Sequence, residues 1–403
     1  MPYTVLMLAS TSFFSDYGSH VRIWEEAQAL QRLGHRVVLV TYHNGKPMPG
    51  LDIRRSWDVP WIKRAVVGSS RHKLYLDVGL SWRALRVALS LRPSVIHAHT
   101  HEAAAIGLPL RQMLNLPLIL DYQGSMTSEM LDHGFIHKRN PLYTSLVRLE
   151  QFLNTQADAV LPSTENAAAL LRRTGAVRPE RLHAVPDGVD TERFRPYDGS
   201  PVWAAQRDEL RAQLGIPPGR RIVVYIGLLA PYQGTNLLIE AARLLTARRP
   251  EVHFLIMGHP DPHSYRRLAA SLGVVEHVTL PGRINYHDLH SYLALGDVAV
   301  APKMSLTEGN GKIANYMAMG LPTVVFETPV AREILADTGL YARLGSAEAL
   351  AAMLELALDD RALAARLGAA ARARALAELS WERAAHTIEA IYAAALAQRH
   401  GQV

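Results

Sequence analysis

Short apolar runs alternate with longer segments of helical spacing, and this alternation constrains the fold more than any other feature of the sequence. The predicted strands are residues 5–9, 37–42, 95–99, 118–121 and 159–162, and then 221–226, 253–257, 278–280, 298–301 and 323–326. Strands that alternate with helices form parallel sheets with helices on both faces. The sequence therefore predicts an α/β protein with two doubly wound parallel-sheet domains.

The boundary between these two predicted domains falls near Asp190. The segment 185–190, VPDGVD, and the polar stretch that follows it have the turn chemistry of a hinge. We therefore assign residues 1–190 to an N-terminal domain and residues 191–375 to a C-terminal domain. Residues 376–403 are expected to form a C-terminal helix that returns toward the N-terminal domain. Because ligands bind beyond the carboxyl ends of parallel strands, a cleft between the domains is the predicted site.

Composition narrows the class of protein. The chain has 403 residues and no cysteine, which excludes disulfides and thiolate metal sites and is typical of a reducing cytoplasm. No apolar stretch reaches the roughly 18 residues of a membrane span, and the first residues lack the pattern of an export signal. We therefore expect a cytoplasmic protein.

The net charge of +6 is concentrated in the N-terminal half of the chain. Residues 1–190 contain 21 Lys and Arg against 16 Asp and Glu, a net charge of 21 − 16 = +5. Cations and aromatics interleave in one segment, which contains Trp61, Lys63, Arg64, Arg71, His72, Lys73 and Tyr75. A solvated surface is the favoured interpretation, and peripheral contact with the inner membrane face is the alternative. Nucleic acid is not an expected partner, since no reader motif is present.

The sequence from Glu308 to Phe326 is typical of a glycine loop that leads into a helix and then a strand. Gly309 and Gly311 permit a tight turn, and the helix is predicted over residues 312–319. Backbone N–H groups and Lys312 would favour a phosphate there, while Glu308 would accept hydrogen bonds from sugar hydroxyls. A sugar joined to a phosphate is one hypothesis. An ordinary βαβ crossover, in which the glycines only turn the chain, is the alternative.

Several motifs together resemble those of the family 4 retaining glycosyltransferases of the GT-B fold. They are Gly18 after the first strand, Gly34-His35, VIHAH at 95–99, the hinge, YIGLL at 225–229, and the run 308–322. The resemblance covers nearly the whole chain. It implies two Rossmann-like domains that face each other across a cleft, with the acceptor held by the N-terminal domain and the donor by the C-terminal domain.

The resemblance also implies an activity and a set of site residues. The activity is transfer of a hexosyl group from a nucleotide sugar to a glycan, lipid-linked or small-molecule acceptor, without metal or cofactor, in cell-envelope or polysaccharide biosynthesis. Glu308 and His99 are the predicted catalytic residues. The predicted donor-binding residues are Gly18, Gly227, Gln233, Arg283, Gly309, Asn310, Gly311, Lys312 and Asn315. The predicted acceptor-binding residues are Asp16, Tyr17, His101, Asp121 and Gln123.

The chain departs from the family at three positions in the donor half. Leu228 and Gln233 stand where the family often has Arg and Lys, and Asn315 stands where a second Glu commonly grips the ribose. We expect Lys312 to compensate for the missing charges, with Arg283 as a second candidate. Because Leu228 and Gln233 are neutral, donors other than nucleoside-diphosphate sugars, such as a lipid monophosphate sugar, are also possible.

Alternative chemistries remain open at this point. Retention could proceed by double displacement or by front-face attack, and we favour the second because no carboxylate is singled out as a nucleophile. The alternation of His97, His99 and His101 could suggest a metal, but we discount zinc. A sugar-nucleotide epimerase of the same fold and a degenerate sugar-binding module are the competing functions.

Overall fold

The structure is a computed structural model that describes residues 2–59, 73–132 and 135–400. Most of the cation and aromatic segment considered for membrane contact is not among them. Trp61, Lys63, Arg64, Arg71 and His72 lie outside the described residues.

The N-terminal sheet has six parallel strands in the order β3-β2-β1-β4-β5-β6. The strands are β1 (Thr4–Ala9), β2 (Arg36–Thr41), β3 (Asp52–Arg55), β4 (Val95–His99), β5 (Leu118–Tyr122) and β6 (Ala159–Pro162). The helices of this region are α1 (Gly18–Arg32), α2 (Lys73–Leu91), α3 (Thr100–Leu114), α4 (Met126–Asp132), α5 (Tyr143–Gln156) and α6 (Glu165–Thr174).

The C-terminal sheet also has six parallel strands, in the order β12-β11-β10-β7-β8-β9. The strands are β7 (Arg221–Leu228), β8 (Val252–His259), β9 (Val278–Gly282), β10 (Val298–Ala301), β11 (Thr323–Phe326) and β12 (Leu340–Ala342). The helices are α7 (Pro201–Gln213), α8 (Thr235–Thr246), α9 (Pro262–Ser271), α10 (Leu289–Leu293), α11 (Lys312–Ala318), α12 (Pro329–Leu335), α13 (Ala347–Asp359), α14 (Arg361–Glu378) and α15 (Trp381–His400). Two doubly wound parallel sheets confirm the predicted fold class.

The central strands are buried because helices cover both faces of each sheet, and most of their residues are apolar. In β1, Val5 and Met7 belong to the core on the α1 side, whereas Leu6 and Leu8 belong to the core beneath α2 and α3. All four side chains are fully buried. Burial of a large aliphatic side chain contributes about 1.5–3 kcal/mol, so the two cores fix the sheets as rigid supports for the loops at their carboxyl ends.

Helix α15 joins the C-terminal end of the chain to the N-terminal domain. The backbone N–H of Val189 donates to the Leu379 carbonyl at 2.7 Å, which pairs the hinge with the residue just before α15. Further along α15, the Tyr392 hydroxyl lies 2.6 Å from Nδ1 of His97, and Arg399 forms an ion pair with Asp158 at 3.1 Å. The chain therefore crosses between the two domains twice.

The carboxyl ends of the two sheets face a shared cavity of about 370 Å³. Across its rim, Nζ of Lys46 bonds both to Asp16 at 2.7 Å and to Oδ1 of Asn285 at 3.0 Å. On the other side, Nδ2 of Asn166 donates to the Leu306 carbonyl at 2.8 Å. Polar contacts thus hold the domains against each other at two edges of the cleft.

None of the helices in the described ranges combines the length and the apolar character needed to cross a lipid bilayer.

The bond between Tyr392 and His97 predicts a measurable contribution to stability. We expect Tyr392→Phe to lower the free energy of unfolding by about 1–3 kcal/mol, because it leaves Nδ1 of the buried His97 without its partner. Urea denaturation followed by circular dichroism measures the change. Tyr197→Phe is the matched control, since the Tyr197 hydroxyl is half-exposed and makes a 3.3 Å bond, and its effect should stay within about 0.5 kcal/mol. Equal stability of the two variants would contradict the assigned role of Tyr392.

Candidate active site

The cavity between the domains is lined by residues from both sheets. Every predicted site residue except Asp121 lies on its wall. From the N-terminal domain these are Asp16, Tyr17, Gly18, His99, His101 and Gln123, and from the C-terminal domain Gly227, Gln233, Arg283, Glu308, Gly309, Asn310, Gly311, Lys312 and Asn315. The topology therefore brings together residues that are spread over 300 positions of the sequence, since parallel strands deliver their loops to one edge.

The glycine loop between β10 and α11 packs directly against the hinge. A Cβ atom at Gly309 would lie 2.9 Å from Oγ of Ser163, and one at Gly311 would lie 3.0 Å from Oδ2 of Asp187. Any larger residue would displace the loop from these partners. The glycines are thus needed for close approach of the loop to the N-terminal domain as well as for the turn.

Lys303, at the end of β10, fixes the position of the predicted catalytic carboxylate. Its Nζ lies 2.8 Å from Oε2 of Glu308 and donates to the Gly309 carbonyl at the same distance. Cγ of Glu308 lies 3.5 Å from where a Cβ would stand on Gly124, which belongs to the opposite domain. Glu308 therefore spans the cleft, held by a lysine that the sequence analysis did not single out.

Lys312 is partly buried in the donor half and lacks a carboxylate partner within the described residues. Its Nζ donates to Oε1 of Gln233 at 2.8 Å and lies 4.9 Å from the ring centre of Tyr225. Burial, reinforced by the nearby charge of Lys303, lowers the pKa of Lys312 to about 7. Lys312 was expected to compensate for the missing charges at positions 228 and 233. Desolvation leaves its amine only partly protonated at neutral pH, so this compensation is incomplete until an anion lies nearby.

Gln233, which replaces a basic residue of the family pattern, is the hydrogen-bond partner of Lys312. The other replacement, Leu228, ends β7, and its carbonyl accepts a 2.8 Å bond from the Tyr225 hydroxyl. Arg283 lies on the far side of the cavity, over the ring of Tyr17 at 5.9 Å and 4.0 Å from Asp16. The two candidate cations of the donor half therefore occupy different walls.

His99 is held from beneath by Asp121. Nδ1 of His99 lies 2.8 Å from Oδ2 of Asp121, and its ring stacks on His97 at 4.6 Å between centres. Burial alone would raise the pKa of Asp121, but the guanidinium of Arg22 and the bond from His99 outweigh it and lower that pKa below its usual range. An ionised Asp121 requires Nδ1 of His99 to donate. Nε2 is itself buried and has no partner in the described part of the chain.

The prediction that Asp121 binds the acceptor is corrected by this arrangement. Its carboxylate is fully buried and receives bonds from Arg22 at 3.0 Å and from Nε2 of Gln123 at 2.8 Å. With His99 as a third donor, it is saturated below the cavity wall. Asp121 positions His99 and Gln123, and these two residues line the cavity in its place.

The remaining acceptor-side residues also have defined partners. Nε2 of His101 pairs with Asn154 at 3.0 Å, so that side of its ring is committed to the core. Asp16 bonds to Lys46, and the ring of Tyr17 packs 4.7 Å from that of His259 in the opposite domain. Asp16 and Tyr17 therefore lie where the domains meet at the cavity rim.

A cluster of buried titratable groups lies beneath His99. Ligand atoms of Glu26, His97, His99 and Asp121 lie within 4.8 Å of one another, close enough to suggest a cation site. Arg22 stands among them, with Nη2 at 3.0 Å from Glu26 and 2.9 Å from Asp121. Its guanidinium already supplies the positive charge that the two carboxylates need, so the cluster carries no argument for a metal.

Three residues that shape the site were missed by the sequence analysis: Arg22, Asp187 and Lys303. Lys303 could have been found, because it follows a predicted strand and precedes Glu308 by five positions. Asp187 lies in the segment interpreted as a hinge. Arg22 has no local signal, since its partners Asp121 and Asp187 are 99 and 165 positions away.

Known protein families match both halves of the chain. The model described as glycosyl transferase 4-like domain matches residues 17–188, and the model described as glycosyl transferases group 1 matches residues 206–374. A D-inositol 3-phosphate glycosyltransferase of Nocardia farcinica is 30% identical over 320 residues, which cover 76% of this chain and 68% of that protein. The chain therefore belongs to the family 4 glycosyltransferases of the GT-B fold and is a transferase, as the sequence predicted.

Solved structures agree on the fold. HepE from Anabaena, in a complex with UDP-glucose, superposes with a TM-score of 0.78 at 17% identity, covering 97% of this chain and all of HepE. Sucrose-phosphate synthase from Thermosynechococcus elongatus gives a TM-score of 0.81 at 21% identity, covering 98% of this chain and all of that chain. At these identities the likeness is one of fold.

The environment of Lys312 predicts a pH-dependent anion site. We expect pyrophosphate to bind to the wild type and its affinity to fall as pH rises through about 7, because the lowered pKa deprotonates Lys312 above that value. The fall should approach about tenfold per pH unit relative to Lys312→Arg, whose charge persists. Isothermal titration calorimetry measures both affinities.

Two further variants make this test decisive. Lys312→Met should bind pyrophosphate weakly at every pH, whereas Lys138→Met, at an exposed lysine away from the cavity, should behave as the wild type. Wild-type affinity in Lys312→Met would remove Lys312 from the anion site.

Proposed function

We propose that the protein transfers a hexosyl group from a nucleoside-diphosphate sugar to an acceptor hydroxyl, with retention of anomeric configuration and without a metal ion. The acceptor is a glycan, a lipid-linked sugar or a small molecule. Support comes from the family, from the shared cavity, and from the UDP-glucose found in the HepE complex.

The observation that carries this proposal is Lys312, which lines the cavity, is partly buried and has no carboxylate partner in the described part of the chain. A partly desolvated ammonium without a counterion is unfavourable, and an anionic ligand in the cavity would supply the missing charge. The lysine follows Gly309 and Gly311, and all three residues line the cavity. A diphosphate satisfies these conditions, and Lys312 would then gain its proton and stabilise the leaving group.

The sugar would lie between the diphosphate and the N-terminal wall. Glu308, held by Lys303, is placed to accept hydrogen bonds from hydroxyls of the donor sugar, and His99 lines the N-terminal wall of the same cavity. Neither group needs to attack the sugar. In front-face transfer the acceptor oxygen forms its bond on the face from which the phosphate leaves, and the departing phosphate oxygen takes the acceptor proton. Catalysis then rests on orientation and on charge stabilisation.

We place this activity in the cytoplasm, in the synthesis of the cell envelope or of a polysaccharide. These pathways use nucleotide sugars as donors. The Nocardia relative is named for an inositol phosphate acceptor. The acceptor half of the present cavity contains Asp16, His99, Glu102 and Gln123, which are suited to hydroxyl groups.

The proposal is tested by a donor screen followed by product analysis. Thermal shift identifies the nucleotide sugar that stabilises the protein, and the same donor is then incubated with candidate acceptors in the presence of a chelator. Proton NMR of the product should show the anomeric configuration of the donor. An inverted product, or activity abolished by the chelator and restored by a divalent cation, would overturn the proposed mechanism.

Substitution of Glu308 is expected to lower turnover without unfolding the protein. Glu308→Ala should lower turnover by about 10²–10³-fold, because it removes the acceptor for sugar hydroxyls in the transition state. Glu308→Gln should retain more activity than Glu308→Ala, since its amide oxygen can still accept a bond. Steady-state kinetics and thermal melting are the measurements.

Glu327→Ala is the matched control for Glu308→Ala. Glu327 is also paired with a cation, Arg332, but it is exposed and does not line the cavity, so turnover should not change. Wild-type transfer by folded Glu308→Ala would exclude Glu308 from the active site.

A further inference from the structure

Helix α2 of the N-terminal domain has two apolar faces, and only one of them is covered. The inner face contributes Leu76, Leu80, Ala84 and Ala88 to the core, and all four are buried. The outer face carries large apolar side chains at positions 75, 78, 82 and 89, spaced three, four and seven residues apart, which places them along one stripe of the helix. We call this the outer stripe: Tyr75, Val78, Trp82 and Leu89.

The outer stripe is open to solvent. Tyr75 and Val78 are each 70% exposed, Leu89 is 56% exposed and Trp82 is 47% exposed. Trp57, which follows strand β3 and is 60% exposed, extends the stripe, because its ring lies 6.2 Å from that of Trp82. Single exposed apolar residues are common, but a continuous row of this size with two tryptophans marks an interaction surface.

Among the side chains of α2 that the structure describes, the charged ones are the half-exposed Arg83, the exposed Arg86 and the partly buried Asp77. Residues 73–92 contain four cations, namely Lys73, Arg83, Arg86 and Arg92, and one acid, Asp77. Asp77 accepts a 2.6 Å hydrogen bond from the hydroxyl of the buried Tyr42, so its carboxylate faces the core. Arg86 is exposed beside the stripe. An apolar stripe flanked by cations is complementary to a surface that is apolar inside and anionic outside.

We propose that the outer stripe of α2 docks the protein on an anionic membrane surface, with Trp57 and Trp82 at the headgroup level. Tryptophan favours that level because its ring is apolar and its N–H can meet water or headgroups. The cations then face lipid phosphates.

A second copy of the chain fits the stripe less well than a lipid surface does. In a two-fold contact the stripe would meet itself, and Arg83 and Arg86 would approach an equally basic partner surface. The two acids near the stripe already have partners within the chain, Asp77 with Tyr42 and the exposed Asp58 with His43 at 3.6 Å. Anionic lipid headgroups remove this repulsion, and they also fit the net charge of +5 on residues 1–190.

The first turn of α2 lies close to the cleft between the domains. In a parallel βαβ unit the crossover helix begins at the carboxyl edge of the sheet, which is the edge that faces the cleft. Trp57 follows β3 at this edge, and Ser56 packs near Gly79 of α2, with 3.9 Å between Cβ of Ser56 and a Cβ built on Gly79. The end of the stripe that carries Tyr75 and Val78 therefore lies near the edge that opens into the cleft. If the protein has the proposed function, docking would bring a lipid-linked acceptor close to the cavity. Docking of the outer stripe on the membrane is itself independent of the proposed function.

Vesicle co-sedimentation of the full chain tests the proposal. Wild-type protein should bind vesicles made of equal parts phosphatidylcholine and phosphatidylglycerol, and bind vesicles of phosphatidylcholine alone at least about tenfold more weakly. The double variant Val78→Ser/Trp82→Ser should lose about tenfold or more of the binding to anionic vesicles. Arg83→Gln/Arg86→Gln should weaken it and reduce its dependence on salt.

The matched control is Val202→Ser/Leu376→Ser, which removes two exposed apolar side chains from the C-terminal domain and should leave binding unchanged. Donor hydrolysis without vesicles should be the same in all of these variants, because none of the changed residues lines the cavity. Failure of docking with hydrolysis intact would thus sink the membrane proposal and spare the proposed function.

Three outcomes would overturn docking. They are no binding to anionic vesicles, unchanged binding in Val78→Ser/Trp82→Ser, and a concentration-dependent dimer that the same double variant dissolves. The last result would assign the stripe to a second copy of the chain.

Discussion

The arrangement of the active site depends on the buried guanidinium of Arg22. It bonds to Asp121 on β5, to the carbonyl of Val185 and to Asp187 in the hinge, and it pairs with Glu26 on its own helix. Removal of this cation would leave the fully buried Asp121 carboxylate without its main counter-charge, which is strongly unfavourable. Through Asp121 it orients His99, and through Asp187 it supports the glycine loop. One side chain thereby aligns the acceptor wall with the donor wall.

Lys303 and Lys312 have different electrostatic roles on the donor side of the cavity. Lys303 is neutralised by Glu308 and acts as a brace for the loop, so its charge is already balanced. Lys312 has the neutral Gln233 as its partner, and burial lowers its pKa to about 7. Because an anion nearby would favour the charged form of Lys312, binding of a phosphate and uptake of a proton are coupled. Leu228 and Gln233 are neutral where the family pattern has cations, so in the donor half Lys312 is the lysine without a carboxylate partner among the described residues.

Much of the fold could be predicted because each central strand is a short apolar run between helical segments. The two strands that were missed are edge strands: β3 is polar in sequence, DIRR, and β12 has three residues, so neither has a periodic signal. The site was predictable where a residue follows a strand or lies in a glycine loop, as for Glu308. It was not predictable where a contact joins distant segments, as for Arg22 with Asp121, and Asp121 was for this reason assigned to the acceptor rather than to His99.

The sequence by itself determined the α/β class, the division into two sheets and the family, because these follow from local periodicity and from motifs within single loops. The tertiary structure alone decided the charge of Lys312, the orientation of His99 and the exposure of the outer stripe on α2. Each of these depends on which groups surround a side chain and on how much water reaches it. Such environments are assembled from segments far apart in the chain, so no local pattern of residues encodes them.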